Sequence, residues 1–119
     1  MTRLRPAMIR IALIALSALA ADSSEAANVV LNGTVGPGFT IILKKGSAKV
    51  ASLVHGTYTI KISDQATSHN FHLSGPGVNK LTGVTFKGAA TWTVTFKKGT
   101  YTYVCDPHAG SMKGSFKVT

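Results

Sequence analysis

Cys105, His108 and Met112 fall within one run of eight residues, Cys105-Asp106-Pro107-His108-Ala109-Gly110-Ser111-Met112. A thiolate, an imidazole and a thioether on one stretch form a soft ligand set. That chemistry suits copper better than the other common biological metals. One further histidine would complete two His, one Cys and a weak Met, the arrangement of a blue-copper electron-transfer site. The alternative for a lone cysteine is an inert core thiol, and the neighbouring His and Met argue against it. The second histidine is sought in Ser68-His69-Asn70-Phe71-His72-Leu73. If this segment is a strand, Phe71 and Leu73 face the core while Asn70 and His72 face out. His69 stands at the strand mouth, where it can meet another loop. His69 is therefore the expected ligand, His72 a surface or supporting histidine, and His55, beside Gly56 in a turn, plain surface.

These residues need a scaffold that brings a loop and a strand mouth together. Beyond residue 27 the chain is a series of short segments rich in Val, Ile, Thr, Phe and Tyr, separated by Gly, Pro, Asn, Asp or Ser. No stretch there holds a helical apolar period over three turns. Both features predict an all-β domain. Strands are expected at Asn28–Val35, Phe39–Leu43, Lys49–Leu53, Thr57–Ser63, Asn70–Ser74, Thr91–Phe96, Thr100–Cys105 and Gly114–Val118, with Pro76 to Gly88 irregular. Seven or eight short strands with turns between them suggest a Greek-key two-sheet β-sandwich. Tyr101, Tyr103 and Cys105 alternate on one strand face, so the thiol should point inward with the tyrosines.

The first 26 residues read differently. A basic start carrying Arg3, Arg5 and Arg10 is followed by an apolar run from Ile11 to Ala20 and then by small residues. This is the pattern of a secretory signal peptide, too short for a membrane span. Cleavage is expected after Ala20 or after Ala26, with 1–26 as signal and 27–119 as the working domain. The destination is the periplasm or the cell exterior, with no integral span left after signal removal. A single cysteine cannot form an internal disulfide, so this exported domain does not rely on one.

Residues 27–119 hold ten lysines against Asp64 and Asp106, a net charge of about +8. Such a field favours anionic partners and speeds their encounter at low salt. Nucleic acid is excluded as a partner: the lysines are scattered and no arginine remains to read bases. An enzyme is not expected, because two acids supply neither a Ser-His-Asp set nor paired carboxylates.

His69-Asn70 opening a strand, Gly99-Thr100-Tyr101 leading into Cys105-Asp106-Pro107-His108, and Met112 beyond them resemble the cupredoxins, particularly the plastocyanin and amicyanin branch. The resemblance implies that Cys105 is the thiolate ligand, His69 and His108 the two imidazole ligands, and Met112 the axial thioether of a bound copper ion (Cu+/Cu2+). It implies that Asn70 ties the two ligand-bearing loops together and tunes the metal. It also implies that His108, flanked by the small Ala109 and Gly110, is the electron exit. The chain departs from the pattern in three places. Three residues separate His108 from Met112, fewer than in most plastocyanins and more than in amicyanins. Asp106 replaces the usual Ser or Thr, and a carboxylate there should favour Cu(II). Val104 stands where plant plastocyanins carry an exposed tyrosine. The resulting expectation is a small exported electron carrier, monomeric, whose redox partners present acidic docking surfaces. The alternatives are a copper-holding or delivery protein on the same fold and a metal-free β-sandwich interaction module.

Overall fold

Period-two alternation governs almost every segment, and the chain folds into strands accordingly. A computed structural model describes residues 29–119. The expected signal peptide lies outside the described residues. Ten strands run in order: β1 Val30–Val35, β2 Ile41–Lys45, β3 Ala48–Lys49, β4 Ser52–Leu53, β5 Gly56–Asp64, β6 His72–Gly75, β7 Val78–Leu81, β8 Gly88–Phe96, β9 Gly99–Val104 and β10 Lys113–Val118. They form two five-stranded sheets, ordered β3-β2-β1-β5-β8 and β4-β10-β9-β6-β7. Both sheets are mixed, with parallel pairs β1–β5 and β4–β10 among antiparallel neighbours. No helix among the described residues is long and apolar enough to cross a membrane.

The all-β sandwich expected from the sequence is present, with ten strands where seven or eight were anticipated. The extra strands have a physical origin. Lys49–Leu53, expected as one strand, is a crossing between sheets: β3 pairs with β2 in the first sheet and β4 with β10 in the second. Buried Val50 sits at the crossing and donates its N–H to the carbonyl of Leu43 at 2.9 Å. Pro76 to Gly88, expected to be irregular, supplies β7, which closes a hairpin on β6. Phe39, expected at a strand start, precedes β2 and lies exposed.

The two sheets close on a single core. Tyr58, Ile60 and Ile62 of β5, Val94 and Phe96 of β8, and Leu31 and Val35 of β1 face Leu73, Tyr101, Tyr103, Phe116 and Val118 of the other sheet. Side chains buried to this degree contribute roughly 1.5–3 kcal/mol each relative to exposure. Aromatic rings pack closely there: Tyr101 stacks on Phe116 with centroids 5.6 Å apart, and Tyr103 on Phe71 at 5.4 Å. Room for those rings comes from glycines. Gly114 lies opposite Tyr103 in the β9–β10 register, and a Cβ at Gly114 would collide with the Tyr103 ring and hydroxyl. Because β9 runs from Gly99 to Val104, Tyr101 lies toward one end of the sandwich and Cys105 emerges at the other.

Candidate metal centre

Cys105 follows the last residue of β9 and keeps the inward alternation of Tyr101 and Tyr103; all three are fully buried. The chain then turns on itself. Asp106–His108 is a short 3-10 turn with Pro107 near its start, where proline's fixed φ and missing N–H cost nothing. The N–H of His108 donates to the carbonyl of Cys105 at 2.9 Å, and those of Ser111 and Met112 donate to the carbonyl of His108. The N–H of Cys105 donates to the carbonyl of Met112 at 3.0 Å, closing the loop at its base. Met112 is buried, while Asp106, Pro107, Ala109, Gly110 and Ser111 are exposed.

The second arm comes from the connection between β5 and β6. His69 and Asn70 are buried there, unusual for polar side chains unless they have partners. The backbone N–H of Phe71 donates to Thr82 Oγ1 at 2.9 Å, and the Thr82 hydroxyl donates onward to Asp64 Oδ2. Asp64 is itself buried, which pushes its carboxyl above the usual carboxylate range. The Asn70 side chain bridges the arms. Its Nδ2 donates to Asp106 Oδ2 at 2.8 Å and to the Thr82 carbonyl at 3.2 Å, and its Oδ1 accepts the N–H of Asp106 at 2.7 Å.

These two arms bring His69, Cys105 and His108 together. His69 Nδ1 and His108 Nδ1 lie 3.2 Å apart, and Cys105 Sγ lies 3.7 Å from the first and 3.5 Å from the second. A triangle with those sides has a centre about 2.0 Å from each corner, the distance at which first-row metal ions take imidazole and near that for thiolate. Two nitrogens and a sulfur around one such point match the donor set that copper prefers. The residues present therefore fit a copper ion. Phe39 covers the group from outside: its ring meets both imidazoles edge-on, with centroids 5.5 Å from His69 and 5.0 Å from His108. Gly36 backs the cluster, since a Cβ there would come 3.1 Å from His69 Cδ2.

His72 does not join the trio. It faces outward on β6, as the alternation requires, and makes a contact that alternation alone does not predict. Its Nδ1 lies 2.9 and 3.1 Å from the two oxygens of Asp106, and its Nε2 lies 2.6 Å from Asn79 Oδ1. The pair is mutual. Hydrogen bonds from Asn70 and His72 hold Asp106 below the usual carboxylate range, and the bond to Asp106 lifts His72 above the usual imidazole value. The register explains the meeting: His72 pairs with Val104, two residues before Asp106. His55 is exposed, but its ring and its N–H both reach the carbonyl of Thr119 at 3.0 Å, pinning the end of β10. Phe39 was not singled out as part of the site; an exposed aromatic just past Gly36-Pro37-Gly38 was the available signal.

Residues 40–119 match the family model described as copper binding proteins, plastocyanin/azurin family. Among solved structures the chain is similar to reduced rusticyanin, with 24% identity, 77% of this chain and 78% of that chain covered, and a TM-score of 0.53. It is similar to a methionine-to-glutamine mutant of rusticyanin, at 24% identity, 77% and 76% coverage and a TM-score of 0.54. It is likewise similar to rusticyanin from Thiobacillus ferrooxidans, at 24% identity, 77% and 76% coverage and a TM-score of 0.51. No curated protein matches significantly.

Proposed function

The chain belongs to the plastocyanin/azurin family of copper-binding proteins, with copper as its cofactor, and from that premise we propose that it is an exported carrier of single electrons. It is a cupredoxin-type blue copper protein rather than an enzyme. In this reading residues 1–26 are a signal peptide, residues 27–119 work in the periplasm or outside the cell, and His69, Cys105, His108 and Met112 hold the metal. The observation that carries the reading is the triangle of His69 Nδ1, His108 Nδ1 and Cys105 Sγ, buried at two of its three corners.

Bound there, copper supplies a one-electron couple. The chain's own residues decide how easily that couple turns over. Cys105 and Met112 offer soft sulfur, which favours the reduced ion, while His69 and His108 offer nitrogen, which suits the oxidised one. The loop bonds at Cys105, His108 and Met112, together with the Asn70 bridge, keep the donors in place whichever form is present. Phe39 and the core exclude water from most of the cluster. Only the His108 side reaches the surface, beside exposed Ala109 and Gly110, and that edge serves as the exit for the electron. Ten lysines favour a partner with an acidic docking surface, and the domain acts as a monomer.

The test is to titrate the purified domain, residues 27–119, with Cu(II) while recording visible absorption and EPR, followed by voltammetry. One equivalent should produce an intense thiolate-to-copper band and a reversible one-electron wave. A featureless spectrum at one equivalent would overturn the reading. Tight Cu(I) binding without reversible cycling would point to a copper-holding role instead.

A further inference from the structure

Asp106 creates a problem for a copper carrier. It places a carboxylate beside the residue that supplies the thiolate, and a fixed negative charge there favours the more positive metal ion. The structure supplies a counterweight. Both ring nitrogens of His72 face oxygen: Nδ1 faces the two carboxylate oxygens of Asp106, and Nε2 faces the amide oxygen of Asn79. A neutral imidazole donates from only one nitrogen, so it would turn a lone pair toward one of those oxygens. An imidazolium satisfies both. Charge-assisted bonds of this kind are shorter and about twice as strong as neutral ones.

We propose that His72, as an imidazolium held by Asn79, latches the Cys105–Met112 loop through Asp106 and offsets the charge of that carboxylate, thereby raising the reduction potential of the copper site. It is a positioning residue, since its contacts run to Asp106 and not to the ligand trio. No second carboxylate competes for it. Asp64, the other acid among the described residues, is engaged by Ala66 and Thr82 behind the His69 arm. The remaining charge nearby is cationic. Lys113 faces Val104 from β10, and Lys80 follows Asn79 on β7. These lysines repel an imidazolium weakly in solvent and cannot accept its protons. The latch also explains why an exposed aspartate has an ordered place: Asn70 holds one side of its carboxylate and His72 the other.

The inference rests on the ligand reading above, and the experiment separates the two. In the copper-loaded domain at about pH 7, above the ordinary imidazole value of about 6.5, where the ring keeps its proton through the bond to Asp106, His72→Gln should shift the Cu(II)/Cu(I) ratio at fixed potential toward Cu(II). The expected change is several-fold and below about tenfold, hence under about 59 mV for one electron. Asp106→Asn should shift it the other way, and adding His72→Gln to Asp106→Asn should do almost nothing more. His72→Arg should recover most of the wild-type ratio. A His72→Gln shift that is absent, or equally large without Asp106, overturns the charge role. In the copper-free domain, backbone amides of residue 106 and residues 108–112 should exchange several-fold faster in His72→Gln than in wild type. Unchanged exchange overturns the latch. A wild type that stays colourless with copper defeats the electron-carrier reading alone, and the exchange measurement still decides the latch.

Discussion

The two ends of the sandwich solve opposite problems with the same strands. At the far end, Phe96, Tyr101 and Phe116 pack at 4.8 to 5.6 Å, and polar atoms are tied to backbone: the Tyr101 hydroxyl donates to the Lys97 carbonyl and accepts the Lys97 N–H. At the metal end, polar side chains are tied to one another as well as to backbone, through Asn70, Thr82, Asp64 and Asp106. The far end is where burial gives the domain its stability. The metal end withholds apolar contact so that three donors can face one point. Both carboxylates of the described residues sit at this end, which leaves the rest of the surface to lysine and neutral groups. Chemistry and stability are thus segregated along the strands.

That segregation can be broken from either side. Cys105→Ser should remove the visible band completely in a copper titration, and thermal melting of the copper-free domain should shift far less than with a core truncation. Phe116→Ala should do the reverse. It should cost about 3–5 kcal/mol in denaturant melts, while the protein that remains folded keeps its band. A band lost in Phe116→Ala under conditions where circular dichroism shows a folded domain would mean that the two ends are coupled.

Titration sharpens the same contrast. Metal ligands must be deprotonated to bind, so copper affinity measured by competition should fall as the solution becomes acid, well before the aromatic end loosens. The aromatic end should fail in alkali. Burial raises the Tyr58 phenol above its ordinary value, against the hydrogen bond it donates to Val54. The folded state therefore favours the neutral phenol. Its stabilisation is whole below about pH 10, where the unfolded chain also keeps the proton. It is then lost as pH rises through the higher folded value. Tyr58→Phe should flatten the alkaline limb of a stability-against-pH curve, and an unchanged limb would sink this account. The smallest effect belongs to the lysines: Lys61→Glu on the outer face of β5 should move stability by no more than about 0.5 kcal/mol. It should still weaken the salt dependence of association with an acidic partner, measured by stopped flow.

Much of this was legible in the sequence, and unevenly so. Alternation in Tyr58-x-Ile60-x-Ile62 and Tyr101-x-Tyr103-x-Cys105 gave the buried faces directly, because a half-buried strand leaves a period of two. The candidate trio was legible because metal ligands are rare residue types at short spacing. The crossing at residues 48–53 was not, since two residues paired to one sheet and two to another look like one short strand. The His72–Asp106 contact was hidden for a related reason. Facing is a local property, but adjacency depends on which residue of β9 lies opposite, and that register is set by the whole sheet.

The loop from Cys105 to Met112 is closed at its base by one backbone hydrogen bond and knitted inside by three more. It hangs on the sandwich as a cassette. Three of the four candidate ligands, and the spacing that sets how near Met112 comes, can be exchanged as a unit without touching a core strand. What any replacement must keep is an acceptor at position 106, the point by which Asn70 and His72 hold the cassette in place. A fold arranged in this way can be retuned by substituting a part rather than by redesigning the whole.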